Sequence, residues 1–185
     1  DMRMDIEGPT TAADIINNYS RAQLIDLFKK YADVRVPNKV VDAIINYRAQ
    51  KKIVSTKELA DIITDCFPGS LIRKHPAKVY FQALRIEVND ELTVLKQALN
   101  IAKNLLKNNG YIAVITFHSL EDRIVKQIFN DLTRVKDQYE KEIPLLKLTK
   151  PKFKLVNKKP LRPSLQELNT NHRSHSAKLR IIQKI

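Results

Sequence analysis

The spacing of apolar positions divides the chain into a helical first part and a mixed second part. After Ser20, Leu24, Leu27, Phe28 and Tyr31 share one helical stripe, and after Pro37 so do Val40, Val41, Ile44 and Ile45. Leu59, Ile62, Ile63 and Phe67 form a further apolar face that Pro68-Gly69 ends. Three helix starts are marked chemically. Thr11 precedes Asp14, Ser20 precedes Gln23 and Ser55 precedes Glu58 at the spacing in which hydroxyl and N3 side chain each satisfy a backbone N–H of the first turn. Residues 1–74 therefore read as an all-α module with no catalytic cluster of its own.

Beyond it the pattern changes twice. Phe81, Leu84, Val88, Leu92, Leu95, Leu99 and Leu106 predict one long helix from Tyr80 to about Leu106, with a left-handed cap at Asn108-Asn109-Gly110. The run from Tyr111 to Phe117 is almost continuously apolar, which predicts a strand covered on both faces, as at the centre of a parallel sheet. Leu120, Ile124, Val125, Ile128, Phe129 and Leu132 resume helical spacing, so an α/β crossover and a doubly wound sheet are expected. Residues 152–156 and 177–182 alternate like strands, and the polar stretch Asn157 to Ser176 between them is a candidate binding loop. Three strands fall short of the ~4–6 usual for a sheet, so the remainder is expected to lie outside this chain.

Composition narrows the function classes. The 185 residues carry 33 basic and 20 acidic side chains, a formal charge of +13, and residues 136–185 alone hold 13 of the former against 4 of the latter. A basic stretch interrupted by Phe153 and apolar positions suits a phosphate-bearing partner. No apolar run approaches the ~20 residues of a membrane span. Cys66 is the sole cysteine, so no internal disulfide exists and a reducing compartment is expected, cytoplasmic or within an organelle. The chain opens at Asp1 without an initiator Met, which reads as a cut site. Gly8, Gly69 and Gly110 are the only glycines and stand far apart, which excludes the Gly-rich phosphate loops of nucleotide sites.

Candidate chemistry gathers at three places. His118-Ser119 follows the best strand at its carboxyl end, where open α/β sheets hold ligands. There Ser119 and Asp122 have capping-box spacing and Glu121 complements the helix dipole, while His118 either packs, orients a substrate or accepts a proton. His75-Pro76 precedes the long helix, on which Arg85 and Asn89 lie one turn apart, either solvating it or meeting a nucleotide. Asn171-His172-Arg173-Ser174-His175-Ser176 offers donors for phosphate or ribose oxygens. His172 and His175 lack further ligands at a zinc spacing, so no metal site is expected.

These residues fall within four blocks that resemble one family. Asp1-Met2-Arg3-Met4-Asp5; His75-Pro76-Ala77-Lys78 with Phe81 to Asn89 and Glu91-Leu92; Phe117-His118-Ser119-Leu120-Glu121-Asp122-Arg123-Ile124-Val125-Lys126; and Asn171, Arg173, Ser174 with Ser176 to Arg180 resemble RsmH, also called MraW. That family transfers a methyl group from S-adenosylmethionine (AdoMet) to the N4 amine of a cytidine in small-subunit ribosomal RNA. The resemblance implies an incomplete Rossmann-like class I methyltransferase sheet at 75–185, carrying the all-α insertion 1–74 as a substrate-recognition domain. It implies His118 beside the reacting nucleotide, with His75, Arg85, Asn89, Ser119, Arg173 and Lys178 on the substrate. The family's glycine-rich cofactor loop precedes the D-M-R-M-D block, so no cofactor-binding residue carries over. The implied partners are small-subunit RNA or the subunit itself, the N-terminal half of the enzyme, and possible homodimerisation. The family usually has Arg where Val79 and His175 stand and is richer in Glu and Arg around Val34-Arg35-Val36-Pro37, which points to altered RNA contacts. A different class is an RNA-binding module derived from such an enzyme that performs no catalysis.

Overall fold

All three expected capping boxes close in the computed structural model, which describes residues 1–32, 37–68, 75–134 and 151–185. Expectations at Val34-Arg35-Val36 and at Gly69 lie outside the described residues. The chain forms two compact units, Asp1–Glu91 and Leu92–Ile185.

In the first unit the boxes open α1 (Ala12–Asn18), α2 (Arg21–Tyr31) and α4 (Thr56–Asp65), and α3 (Asn38–Gln50) begins after Pro37. The apolar stripes read from sequence meet in one core: Ile15, Leu24, Phe28, Val41, Ile44 and Ile63 are fully buried. Helix α5 (Ala77–Asn89) adds Tyr80, Ala83 and Leu84 to that core, with the Phe28 and Tyr80 rings edge to face at 4.9 Å. Packing against α1, α2 and α4 makes α5 part of this unit. The Arg48 guanidinium donates to the carbonyls of Ile16 and Tyr19, and the Asn17 side chain bonds both backbone groups of Ile53, so buried polar ends are satisfied.

The expected single helix from Tyr80 to Leu106 is two. Asp90 takes a left-handed conformation at φ 46°, ψ 37° and separates α5 from α6 (Glu91–Leu105). Asp tolerates this region better than most residues, so apolar spacing continues across a break it does not reveal. The expected turn at Asn108-Asn109-Gly110 is present. Asn109 is left-handed at φ 64°, and a Cβ added to Gly110 would meet the Lys107 carbonyl and the Leu106 side chain at 2.9 Å. Gly110→Ala is therefore expected to destabilise this unit by about 1–3 kcal/mol, read as a lower urea midpoint. An unchanged midpoint would show that the turn relaxes freely.

Strands β1 (Tyr111–Thr116), β2 (Phe153–Leu155) and β3 (Lys178–Lys184) form a mixed α/β unit with α6, α7 (Ser119–Thr133) and α8 (Leu165–Thr170). The sheet order is β1-β3-β2, and β3 runs antiparallel to both neighbours. The described strands thus do not form the doubly wound parallel sheet expected from the apolar run. β1 and β2 run parallel to each other with β3 between them, and pairing across long separations leaves no local sequence signature. One sheet face holds Ile112, Val114, Leu155 and Ile182 against Leu99, Val125 and Phe129, with Phe153 buried in the same cluster. Phe153 is thus a core residue and not an aromatic within a phosphate-facing surface. The opposite face of β1 is open: Tyr111, Ile115 and Phe117 are 58, 59 and 53% exposed.

The stretch from Asn157 to Ser176 is not a plain loop. Leu161 bridges Leu179, α8 follows, and a 3₁₀ turn spans His172–Ser176. The Asn157 side chain accepts from Ile181 N–H and donates to the Leu179 carbonyl, standing in for backbone where β2 ends.

Candidate nucleic-acid interface

At the carboxyl end of β1 the chain turns into α7, and His118, not Ser119, is the N-cap. Its Nδ1 accepts from Glu121 N–H at 3.4 Å, while the Glu121 carboxylate accepts from the N–H groups of Phe117 at 2.8 Å and His118 at 3.3 Å. The capping box thus sits one residue earlier than the Ser119–Asp122 reading, because an imidazole nitrogen serves where a hydroxyl was expected. With Nδ1 as acceptor, the neutral ring carries its proton on Nε2. That nitrogen is buried and lies 3.2 Å from Glu121 Oε1, but without a hydrogen bond to any partner among the described residues. A buried polar atom in that state needs a reason. Burial pushes the Glu121 carboxyl up, yet the bonds from His118 and Phe117 more than offset this and hold it below the usual carboxylate range.

The shift of the cap frees Asp122 for a different task. It faces β3, where Arg180 Nε bonds Oδ1 at 2.6 Å and Lys178 Nζ bonds Oδ2 at 3.0 Å. Burial again raises the carboxyl pKa, and the two cations more than reverse the shift. Asp122 and Arg180 are both buried, so this pair fixes the start of α7 to the centre of the sheet.

Four of the seven site residues expected from sequence come together around this turn. His118, Ser119 and Lys178 line a cleft of about 210 Å³ with Phe117, Arg162 and His175. Arg173 lines an adjoining cleft of about 540 Å³ that shares Phe117, Arg162 and Ala177 and is floored by Ile115, Leu161 and Leu179. The guanidinium groups of Arg162 and Arg173 make no ion pair among the described residues, whereas Lys178 is tied to Asp122. Apolar floors with a few cationic groups at the rim suit a nucleotide. Sequence reasoning missed Arg162; its place in Pro160-Leu161-Arg162-Pro163, directly beside the Leu161 bridge to β3, is the signal that marks it as held at a fixed point.

The other three residues lie in the first unit and are engaged there. His75 Nδ1 accepts from Ala77 N–H at 3.3 Å, and Arg85 forms a two-bond pair with Glu91 at 2.7 and 3.0 Å. Asn89 donates to the Met2 carbonyl at 2.9 Å and accepts from Met4 N–H at 2.7 Å, which fastens the opening D-M-R-M-D segment to α5. Among the described residues no helix is long and apolar enough to cross a membrane.

The second unit is thus a mixed α/β fold with a cationic cleft at the carboxyl end of β1, and the comparison with known sequences gives its family. The profile of the MraW methylase family matches residues 1–185, and the chain belongs to that family. A Streptococcus mutans protein named ribosomal RNA small subunit methyltransferase H is 47% identical over 188 residues, covering all of this chain and 59% of the relative. Proteins of the same name from Ureaplasma parvum and Carboxydothermus hydrogenoformans are each 46% identical, covering 97 and 100% of this chain and 58 and 60% of their own length. The chain thus spans about three fifths of these relatives and corresponds to their C-terminal part.

Proposed function

We propose that the chain is the RNA-facing part of an enzyme that transfers a methyl group from AdoMet to the N4 amine of a cytidine in small-subunit ribosomal RNA. The observation that carries this reading is the cationic double cleft at the His118 turn, in a chain whose relatives bear the methyltransferase name. The incomplete sheet is that of a Rossmann-like methyltransferase, and the helical insertion recognises substrate. The site works in a reducing, cytoplasmic setting.

The residues around the smaller cleft do not fit the methyl donor. AdoMet carries a cationic sulfonium, and this cleft presents Arg162 and Lys178 beside two histidines, while Glu121 and Asp122 are already bonded. The donor's contacts belong to the part of the enzyme outside this chain.

What these residues do is hold and orient the acceptor. An exocyclic cytosine amine is a weak nucleophile, so placing it in line with the incoming methyl group is the main task. Arg162 and Arg173 hold phosphates, with Lys178 steering from its ion pair. The exposed Phe117 ring offers a stacking surface for an unstacked base. The His118 ring, held as the cap of α7 at the wall of the smaller cleft, sets the position of the base beside it. His118 is then a positioning group, since its one lone pair already accepts from Glu121 N–H.

Binding of small-subunit RNA to this chain, measured across a salt series, tests the reading. Arg173→Ala and Arg162→Ala are each expected to weaken binding and to make the slope of log K against log salt shallower by about 0.7–0.9. Unchanged slopes in both variants would remove these clefts from the RNA interface.

A further inference from the structure

The larger cleft carries a hydrogen-bonding edge that its two arginines do not explain. Glu167 on α8 and Asn171 at the helix's C-cap lie one turn apart, and both line the cleft. Ser164 and Glu167 have capping-box spacing, and the Ser164 hydroxyl accepts from Glu167 N–H as such a box requires. In α1, α2 and α4 the N3 side chain closes the box by reaching back to the cap, but the Glu167 carboxylate turns to Asn171 instead. Asn171 Nδ2 donates to Glu167 Oε1 at 2.9 Å, and Asn171 Oδ1 accepts from Arg173 N–H at 3.1 Å. The second bond fixes the amide, because the flipped orientation would set an NH2 group against an N–H. Capacity remains after these bonds: Glu167 Oε2 has no partner among the described residues, Oε1 keeps a lone pair and Nδ2 keeps one hydrogen. The cleft thus presents two carboxylate acceptors beside an amide donor.

We propose that this cleft holds a guanine next to the target cytidine in the RNA strand, and that Glu167 is the residue that selects it. The inference rests on the methyltransferase reading and names the base that the second cleft takes. Guanine alone among the four bases offers two adjacent donors, N1–H and the N2 amine, beside the O6 acceptor. The Glu167 carboxylate matches the two donors and the Asn171 amide matches the acceptor. Adenine and cytosine set a ring-nitrogen lone pair next to their amine, and uracil flanks its one N–H with carbonyl oxygens. Each of these would face a carboxylate oxygen with another acceptor and leave polar groups unpaired. Phe117, Arg162 and Ala177 belong to both clefts, so the two are spaced for consecutive nucleotides. Phe117 stands between the two bases and keeps them from stacking on each other, and Arg162 holds the phosphate that joins them.

Fluorescence anisotropy of this chain with short single-stranded RNAs tests the assignment, each RNA being oligouridine with a central cytidine and one varied neighbour. Guanine on one side of the cytidine is expected to tighten binding about tenfold over adenine at that position. Inosine, which lacks the N2 amine, is expected to recover only part of that gain. Glu167→Gln turns one acceptor into a donor and is expected to abolish the guanine preference. The same variant should bind the adenine RNA as well as before or more tightly, since a negative charge near phosphates is lost, and should keep its urea midpoint. Equal affinity for guanine and adenine on both sides of the cytidine would overturn the proposal. So would a guanine preference that survives Glu167→Gln, which would mean that Glu167 and Asn171 only close α8. Free GMP binding more tightly than the guanine RNA would overturn it as well, by showing a site for a mononucleotide. The salt series on Arg162→Ala and Arg173→Ala separates this inference from the reading beneath it. Shallower slopes without a guanine preference would remove the inference and leave the RNA interface standing, whereas unchanged slopes would remove both.

Discussion

Asp122→Ala is expected to destabilise the second unit by about 3–5 kcal/mol, the cost of leaving a buried guanidinium without its counter-ion. Arg180 lies under α7 on the packed face of β3, and its Nε–Oδ1 contact of 2.6 Å is made between side chains only 10 and 13% exposed. Lys178 shares the same carboxylate from a wetter position and softens the loss little. Urea denaturation followed by circular dichroism checks the value; a shift below about 1 kcal/mol would mean that water reaches Arg180 and the pair is incidental. The pH dependence has a definite sign. The Asp122 carboxyl is held below its unfolded value of about 3.9, so its contribution is fully present above that pH and disappears as pH falls through the lower, folded value. The Asp122→Ala protein should accordingly show a flatter loss of stability in acid.

His118→Ala in the complete enzyme is expected to lower kcat for methyl transfer roughly tenfold to a hundredfold, the scale of a misplaced acceptor, with AdoMet affinity unchanged. Alanine also removes the helix cap, which alone costs about 0.5–2 kcal/mol. His118→Asn separates the two effects, because an asparagine side chain caps a helix well but has no imidazole. If the asparagine variant recovers stability and stays slow, the ring acts on the substrate. If it recovers both, His118 serves the fold alone.

What could be read from the sequence was local. The capping boxes at Thr11, Ser20 and Ser55 close as expected because donor, acceptor and spacing lie within four residues. The amphipathic stripes of α2, α3 and α4 follow from one period. The strands beginning near Lys152 and Ala177 were legible for the same reason. Legibility ended where a choice depended on distant partners. Ser119 and Asp122 have proper box spacing, yet Asp122 is taken by Arg180, 58 residues further on, and His118 with Glu121 forms the cap instead. The apolar run at β1 announces cover on two faces without naming what supplies it, and the antiparallel placement of β3 between β1 and β2 leaves no trace in composition. Asp90 broke a helix whose apolar rhythm continues past it. Of the site, the His118 turn and the Asn171–Ser176 segment were visible as polar interruptions beside strands. Arg162 was not, since one arginine in a basic stretch gains meaning only when Leu161 bridges to β3.

The central claim is that this chain forms the wall against which the acceptor nucleotide is held. Photo-crosslinking tests it most directly, with small-subunit RNA carrying a photoreactive cytidine at the methylated position, bound to the complete enzyme. Adducts are expected on Phe117, His118 or Arg162. Adducts confined to other surfaces of this chain, or to the remainder of the enzyme, would contradict the account.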